Sequence, residues 1–197
     1  HPESKQLEVY SEVAVHIIED GEYSQNNLRQ PLRSSVFDQL YKSMVINFES
    51  SERDEDYQEP AILYITGGSS SSNNDFQNLL DWRKERGYTV YTASLTETGS
   101  STTSIKNYIQ NAYNTFDPPP EYVALVGDVD GSYTVPTYYN GWGHNSYGNE
   151  CEGDHPYCQL DGNDLIPEVL VGRMSIRTSS ELSTVSNKII NYEKATY

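Results

Sequence analysis

Hydrophobic and polar residues change rhythm along this chain, and the change falls near residue 60. Over residues 7–18, Leu7, Val9, Val13, Val15 and Ile17 alternate with Glu8, Tyr10, Glu12 and His16. A period of two marks a strand with one buried face, and Gly21 ends it. Beyond a polar, Asn-rich stretch to Pro31, Val36, Phe37, Leu40, Tyr41 and Met44 recur at helical spacing, and Ser34 or Ser35 is placed to cap that helix. Residues 50–59 then carry Glu52, Asp54, Glu55, Asp56 and Glu59 against Arg53, which reads as a solvated linker ending at Pro60.

From residue 61 the rhythm becomes strand and helix in alternation. AILYIT at 61–66 is a continuous apolar run closed by Gly67 and Gly68, the pattern of a central strand buried on both faces. Phe76, Leu79, Leu80 and Arg83 share one face of a following helix, with Asn74 or Asp75 at its start and Gly87 at its end. Residues 88–93 form a second strand. Ile105, Tyr108, Ile109, Ala112, Tyr113 and Phe116 repeat at helical spacing until Pro118, Pro119 and Pro120 stop them. Residues 122–126 are a third strand, turned by Gly127 and Asp128, and residues 168–174 a fourth. Thr178 and Glu181 then have the spacing of a capping box ahead of Leu182, Val185, Ile189 and Ile190. Strands joined in this way predict an α/β fold with a mostly parallel sheet flanked by helices, preceded by the short strand–helix segment. Ligands in such sheets gather at the carboxyl ends of the strands.

Charge narrows the function. Of the 197 residues 29 are Asp or Glu and 13 Lys or Arg, a formal charge of −16. Six Lys and seven Arg, scattered along the chain, supply no basic patch to displace phosphate counterions, so nucleic-acid binding is set aside. Apolar runs of about six residues fall far short of the ~20 that span a bilayer, and no membrane span is expected. Half of the charge falls on the first 59 residues and reads as solvation. The other half includes residues 107–172, which hold ten acids and neither Lys nor Arg. Either those acids face water separately, or some of them share a bound cation.

Candidate chemistry is sparse. Gly67-Gly68-Ser69 follows a strand, but no Gly-rich phosphate motif with its Lys is present, and a flexible Ser/Asn loop fits better. Cys151 and Cys158 bracket His155; a disulfide is favoured there over free thiols and over zinc, for which His144 is only a distant fourth donor. A Cys-His dyad is disfavoured, since nothing cationic nearby would lower a thiol pKa. Tyr133, Tyr138, Tyr139, Trp142 and Tyr147 either bind sugar or peptide or pack their loop onto the domain. The densest signal is Asp161-Gly162-Asn163-Asp164-Leu165-Ile166-Pro167-Glu168, with Asp128 ending the preceding strand. Hard oxygen donors without cationic neighbours suit calcium, although the spacing is not that of an EF-hand, and a solvated turn stays open.

Four segments in order, D-W-R-K-E-R-G-Y-T-V at 81–90, Y-V-A-L-V-G-D at 122–128, G-N-D-L-I-P-E-V-L-V-G-R at 162–173 and K-I-I-N-Y-E at 188–193, resemble the first half of the gingipain-type cysteine peptidases. The resemblance covers most of residues 60–197 and implies a caspase-like domain of two subdomains, of which this is the amino-terminal one. Residues 1–59 would then be the tail of a pro-region or a lead-in segment with an acidic linker. It also implies a calcium ion, with Asp128, Asp164 and Glu168 as carboxylate ligands and the carbonyls of Asp161 and Ile166 completing the cage. In that family the catalytic His and Cys lie beyond the segment matched by Tyr192 and Glu193, so no catalytic residue is assigned here. The expectation is a non-catalytic, calcium-stabilised part of a secreted, extracellular cysteine endopeptidase. Its partners are a carboxyl-terminal catalytic subdomain of the same precursor and protein or peptide substrates. A stand-alone calcium-stabilised module binding peptide or glycan is the alternative.

Overall fold

Each strand of the sheet owes its place to an apolar run. β1 (Ala61–Thr66) is buried at every position but Ile62 and lies inside the sheet. β2 (Thr89–Ser94), β3 (Tyr122–Val126) and β4 (Leu170–Met174) complete four strands in the order β2-β1-β3-β4, all parallel. Ala61 stands opposite Thr89, Ile62 opposite Tyr122, and Tyr122 opposite Leu170. The computed structural model describes residues 34–46, 48, 57–139, 153–162 and 165–195. The strand expected over residues 7–18 and most of the acidic linker lie outside the described residues, which all fall within the unit Leu32–Tyr197.

Helices cover both faces. The period of two along β1 sends Leu63 and Ile65 into one cluster, with Ile105, Ile109 and Ala112 of α4 (Thr102–Thr115). Ile62 and Tyr64 go to the other, with Phe76, Leu79 and Leu80 of α2 (Asn74–Glu85) and Leu182 of α5 (Ser179–Lys194). β3 repeats the division, Val123 and Leu125 against Ala124 and Val126. Full burial of each such aliphatic side chain contributes about 1.5–3 kcal/mol, so these alternating positions hold the layers together. Two further helices are α1 (Ser35–Met44), where the spacing of its apolar residues puts it, and the single turn α3 (Leu95–Thr98), which alone of the two the hydrophobic pattern does not announce.

Helix ends follow local chemistry. Ser34 caps α1 by accepting from the Phe37 amide at 3.3 Å. Asn73, rather than Asn74 or Asp75, caps α2, accepting from the Phe76 amide at 2.9 Å while its side-chain nitrogen donates to Ser179 and Ser183. Packing against α5 decides between neighbouring Asn residues that are equal by propensity. Thr178 and Glu181 form the expected capping box of α5. Gly87 ends α2 at φ +86°, a conformation that costs a side chain but not glycine.

Candidate functional site

The strand order reverses between β1 and β3, and a crevice at their carboxyl ends is where such a sheet takes ligands. Here the protein fills it with its own backbone. A Cβ on Gly127 would collide with the Tyr133 carbonyl oxygen, and one on Gly67 would lie 2.6 Å from the same atom. Two glycines therefore let the segment after β3 cross directly over the strand ends. The Ser/Asn stretch is not the expected flexible loop. Ser70–Ser72 make one 3-10 turn, with Ser70 and Asn73 buried.

Around this crossing the acids find arginines. Arg173 of β4, its side chain 10% exposed, uses all its donors. Nε and Nη2 pair with the two oxygens of Asp154 at 2.7 Å each, Nη1 donates to the carbonyls of Gly127 (2.9 Å) and Val135 (2.7 Å), and Nη2 reaches that of Pro136 (3.2 Å). Thr137 also donates to Asp154, at 2.8 Å. Arg177 pairs with Asp128 at 2.6 Å and Asp130 at 2.9 Å. Its guanidinium, joined by the Val129 amide, holds the Asp128 carboxyl below the usual range. The absence of Lys and Arg between residues 107 and 172 thus does not leave Asp128, Asp130 and Asp154 without counter-ions; the cations arrive from just beyond.

The calcium donors expected from sequence do not all meet. Glu168 precedes Leu170, which stands opposite Tyr122 at the amino end of β3, whereas Asp128 follows Val126 at the carboxyl end. The Leu170 amide bonds to the Glu121 carbonyl and the Asp128 amide to the Ile176 carbonyl, levels separated by roughly 20 Å at 3.3 Å per strand residue. One ion shared by Asp128 and Glu168 does not fit that register. Asp161 and Glu168 are brought together: Glu168 Oε2 accepts from the amides of Leu160 (2.6 Å) and Asp161 (3.1 Å). Ile166 is exposed in the same loop, and its neighbour's carbonyl, that of Leu165, lies 3.1 Å from His155 Nε2. Asp164 lies outside the described residues. Among the described residues no three His, Cys, Asp or Glu side chains group as a metal cluster. By donor chemistry an oxygen-coordinated ion suits the carboxylates of Asp161 and Glu168, which the loop brings together.

The favoured disulfide is replaced by a free thiol. Cys158 is 2% exposed and its Sγ donates to the His155 carbonyl at 2.9 Å, with His155 Nδ1 3.5 Å away. The arrangement has the outline of a Cys-His dyad, but burial pushes the thiol up to about 11, the Glu168 charge adding to this and a cation the sequence did not place there, Lys106, opposing it without prevailing. Cys151 and His144, and with them the zinc reading, lie outside the described residues. In the aromatic segment, packing wins where it is described. Tyr133 is buried, and Tyr138 stacks edge-on to Tyr157 at 5.0 Å and donates to the Thr102 carbonyl. Tyr139 is exposed, and Trp142 and Tyr147 lie outside the described residues.

Two residues that organise these ends were not singled out from sequence. Arg173 is a lone cation inside an apolar strand, a signal for a buried ion pair. Glu121, 4% exposed just before β3, follows three prolines and carries no such signal.

The sequence profile of peptidase family C25 matches residues 55–197. Gingipain R2 of Porphyromonas gingivalis is 26% identical over 200 residues, which takes in 98% of this chain and 25% of that protein. Lys-gingipain of the same species is also 26% identical, with 98% of this chain and 11% of that protein covered. The chain thus spans a quarter or less of the length of these relatives. Among solved structures, one described as a protease superposes with a TM-score of 0.61 at 24% identity, covering 80% of this chain and 31% of that one. The Arg-specific cysteine proteinase gingipain R superposes at 0.55 with 22% identity, covering 74% and 30%. These superpositions agree with the gingipain-like α/β fold, and no helix among the described residues is long and apolar enough to cross a membrane. With a profile match over residues 55–197, the chain belongs to peptidase family C25, the gingipain family of cysteine peptidases.

Proposed function

We propose that this chain is the amino-terminal, non-catalytic part of a secreted, extracellular gingipain-like cysteine endopeptidase, stabilised by calcium. The observation that carries the non-catalytic reading is the state of Cys158. A peptidase thiol attacks as thiolate, and activation lowers its pKa beside a cation or helix start. Burial moves Cys158 the other way, to about 11. At neutral pH only on the order of one molecule in ten thousand would carry the thiolate. The nucleophile and its base belong instead to a carboxyl-terminal catalytic subdomain of the same precursor, acting on protein or peptide substrates, and this sheet supports it. Kinship with gingipains favours that partner and the extracellular setting.

In this reading calcium sits in the 161–168 loop, with Asp161, Asp164, Ile166 and Glu168 as its oxygen donors. Asp128 stands at the other end of the strand pair and keeps Arg177. Bound there, the ion would offset clustered negative charge and fix the approach to β4. Assay of the chain alone with unblocked and Arg- or Lys-terminated peptide substrates under reducing conditions tests the non-catalytic role. No turnover is expected. Hydrolysis that disappears in Cys158→Ala would overturn the assignment.

A further inference from the structure

We propose that Arg173 and Asp154 are positioning residues that close a neck at the carboxyl end of the sheet, and that this neck opens as one unit while the sheet stays folded. Residues 136–138 and 153–158 form it. Their backbones meet at an antiparallel bridge, where the Tyr138 amide donates to the Gly153 carbonyl at 3.3 Å and the Gly153 amide to the Tyr138 carbonyl at 3.0 Å. Side chains repeat the link beside it. The Tyr157 hydroxyl donates to the Pro136 carbonyl at 2.7 Å, and the Thr137 hydroxyl to Asp154 at 2.8 Å. Both ends of residues 139–152 therefore leave from one fixed point on the rim.

Arg173 joins the two stretches to each other and to β4. Its Nη2 donates to the Pro136 carbonyl on one stretch, while Nε and Nη2 hold both oxygens of Asp154 on the other. A planar guanidinium bound in this forked way fixes direction as well as distance. The two side chains are 10% and 22% exposed, so the pair lies largely out of water, where loss of one partner leaves the other charge uncompensated.

The neck and the strand beside it are held by different forces. Bridge, ion pair and hydroxyl bonds are polar contacts that water can replace, whereas β1 is held by apolar side chains packed on both faces of the sheet. Opening the neck uncovers Tyr157 and Cys158, which are buried against the layer of α4, and breaks the bond from the Tyr138 hydroxyl to the Thr102 carbonyl. That is a fraction of the surface that global unfolding exposes. Elements that meet ligands are drawn from such less stable units, and the carboxyl ends are where ligands of a parallel sheet gather.

Hydrogen exchange of the full chain in increasing but sub-denaturing guanidinium chloride tests this. The amides of Tyr138, Gly153, Tyr157 and Cys158 are expected to share one opening, with a shallower dependence on denaturant than the amides of β1. In Asp154→Asn these four should exchange together on the order of a hundredfold faster, still with the shallow slope. The Arg86 and Gly87 amides at the end of α2, which open without touching the clamp, should not change. Neck amides that follow the steep slope of β1, that scatter over unrelated openings, or that ignore Asp154→Asn would overturn the proposal. Should that variant fail to fold, labelling of Cys158 in the wild type by a thiol reagent, read by peptide mass so that Cys151 is counted apart, decides. A labelling rate with the shallow denaturant dependence of the Gly153 amide supports the neck; one that follows β1 overturns it.

Discussion

The two ends of the β3–β4 pair handle acidic residues in opposite ways. At the carboxyl end, Asp128, Asp130 and Asp154 meet Arg177 and Arg173. At the amino end, Glu121 is buried just before β3, and burial raises its carboxyl, while Glu168 accepts from two backbone amides. The difference shows in the sign of the response to pH. A carboxylate beside a guanidinium is favoured as the anion, so Asp128 contributes above its ordinary 3.8 and that contribution is lost as pH falls through its lowered value. Buried Glu121 behaves the other way. A sequence with 29 acids therefore contains carboxyls that resist acid and at least one that resists base, according to what each one touches.

The largest break in that contrast comes from Arg173. Its replacement by Met leaves Asp154 without its counter-ion and three carbonyls without their donor, and about 3–5 kcal/mol should be lost in denaturant unfolding. Adding Asp154→Asn should recover part of this; a strictly additive double variant would mean the two do not act as a pair. Next is the amino-end loop. Millimolar calcium against chelator should raise the melting temperature of the wild type, equivalent to roughly 2.7 kcal/mol at 100 times the dissociation constant. Glu168→Ala should abolish the calcium response and, even in chelator, cost about 1–3 kcal/mol because the Leu160 and Asp161 amides lose their acceptor. A wild type indifferent to calcium would remove the ion from this loop while leaving the amide contacts in place. The smallest effect belongs to exposed Arg177. Arg177→Ala should lower the melting temperature slightly near neutral pH, and the difference from wild type should fade below pH ~4 and in about 1 M salt. Persistence of the full difference in strong salt would place the contribution of Arg177 in packing against Gly131 rather than in charge.

Local signals in the sequence were strong wherever the chain decides its own conformation. The apolar run at 61–66, the Thr178–Glu181 capping box and the Gly87 terminus each depend on neighbours within a few residues, and all three stand where the pattern puts them. The order of the segments carried the family. Misreadings came where a partner is distant. Asn73 outranks Asn74 as a cap because α5 receives its side chain, and the Ser/Asn stretch is ordered because it lies beside the crossing of Tyr133 over Gly67 and Gly127. Cys158 is a buried thiol against α4 instead of half of a disulfide, a matter of the layer it enters and not of its spacing from Cys151.

What the sequence by itself determined is the alternation of strands and helices, their caps and the kinship with family C25, because periodicity and short-range hydrogen bonding are properties of contiguous residues. Only the tertiary structure decided which acid meets which cation. Parallel register sets Asp128 and Glu168 at opposite ends of one strand pair although they stand 40 positions apart in a run without Lys or Arg. It also brings Arg173 and Arg177 from beyond that run onto the carboxyl end. Charge acts through space, and the distance along the chain says little about the distance across a sheet.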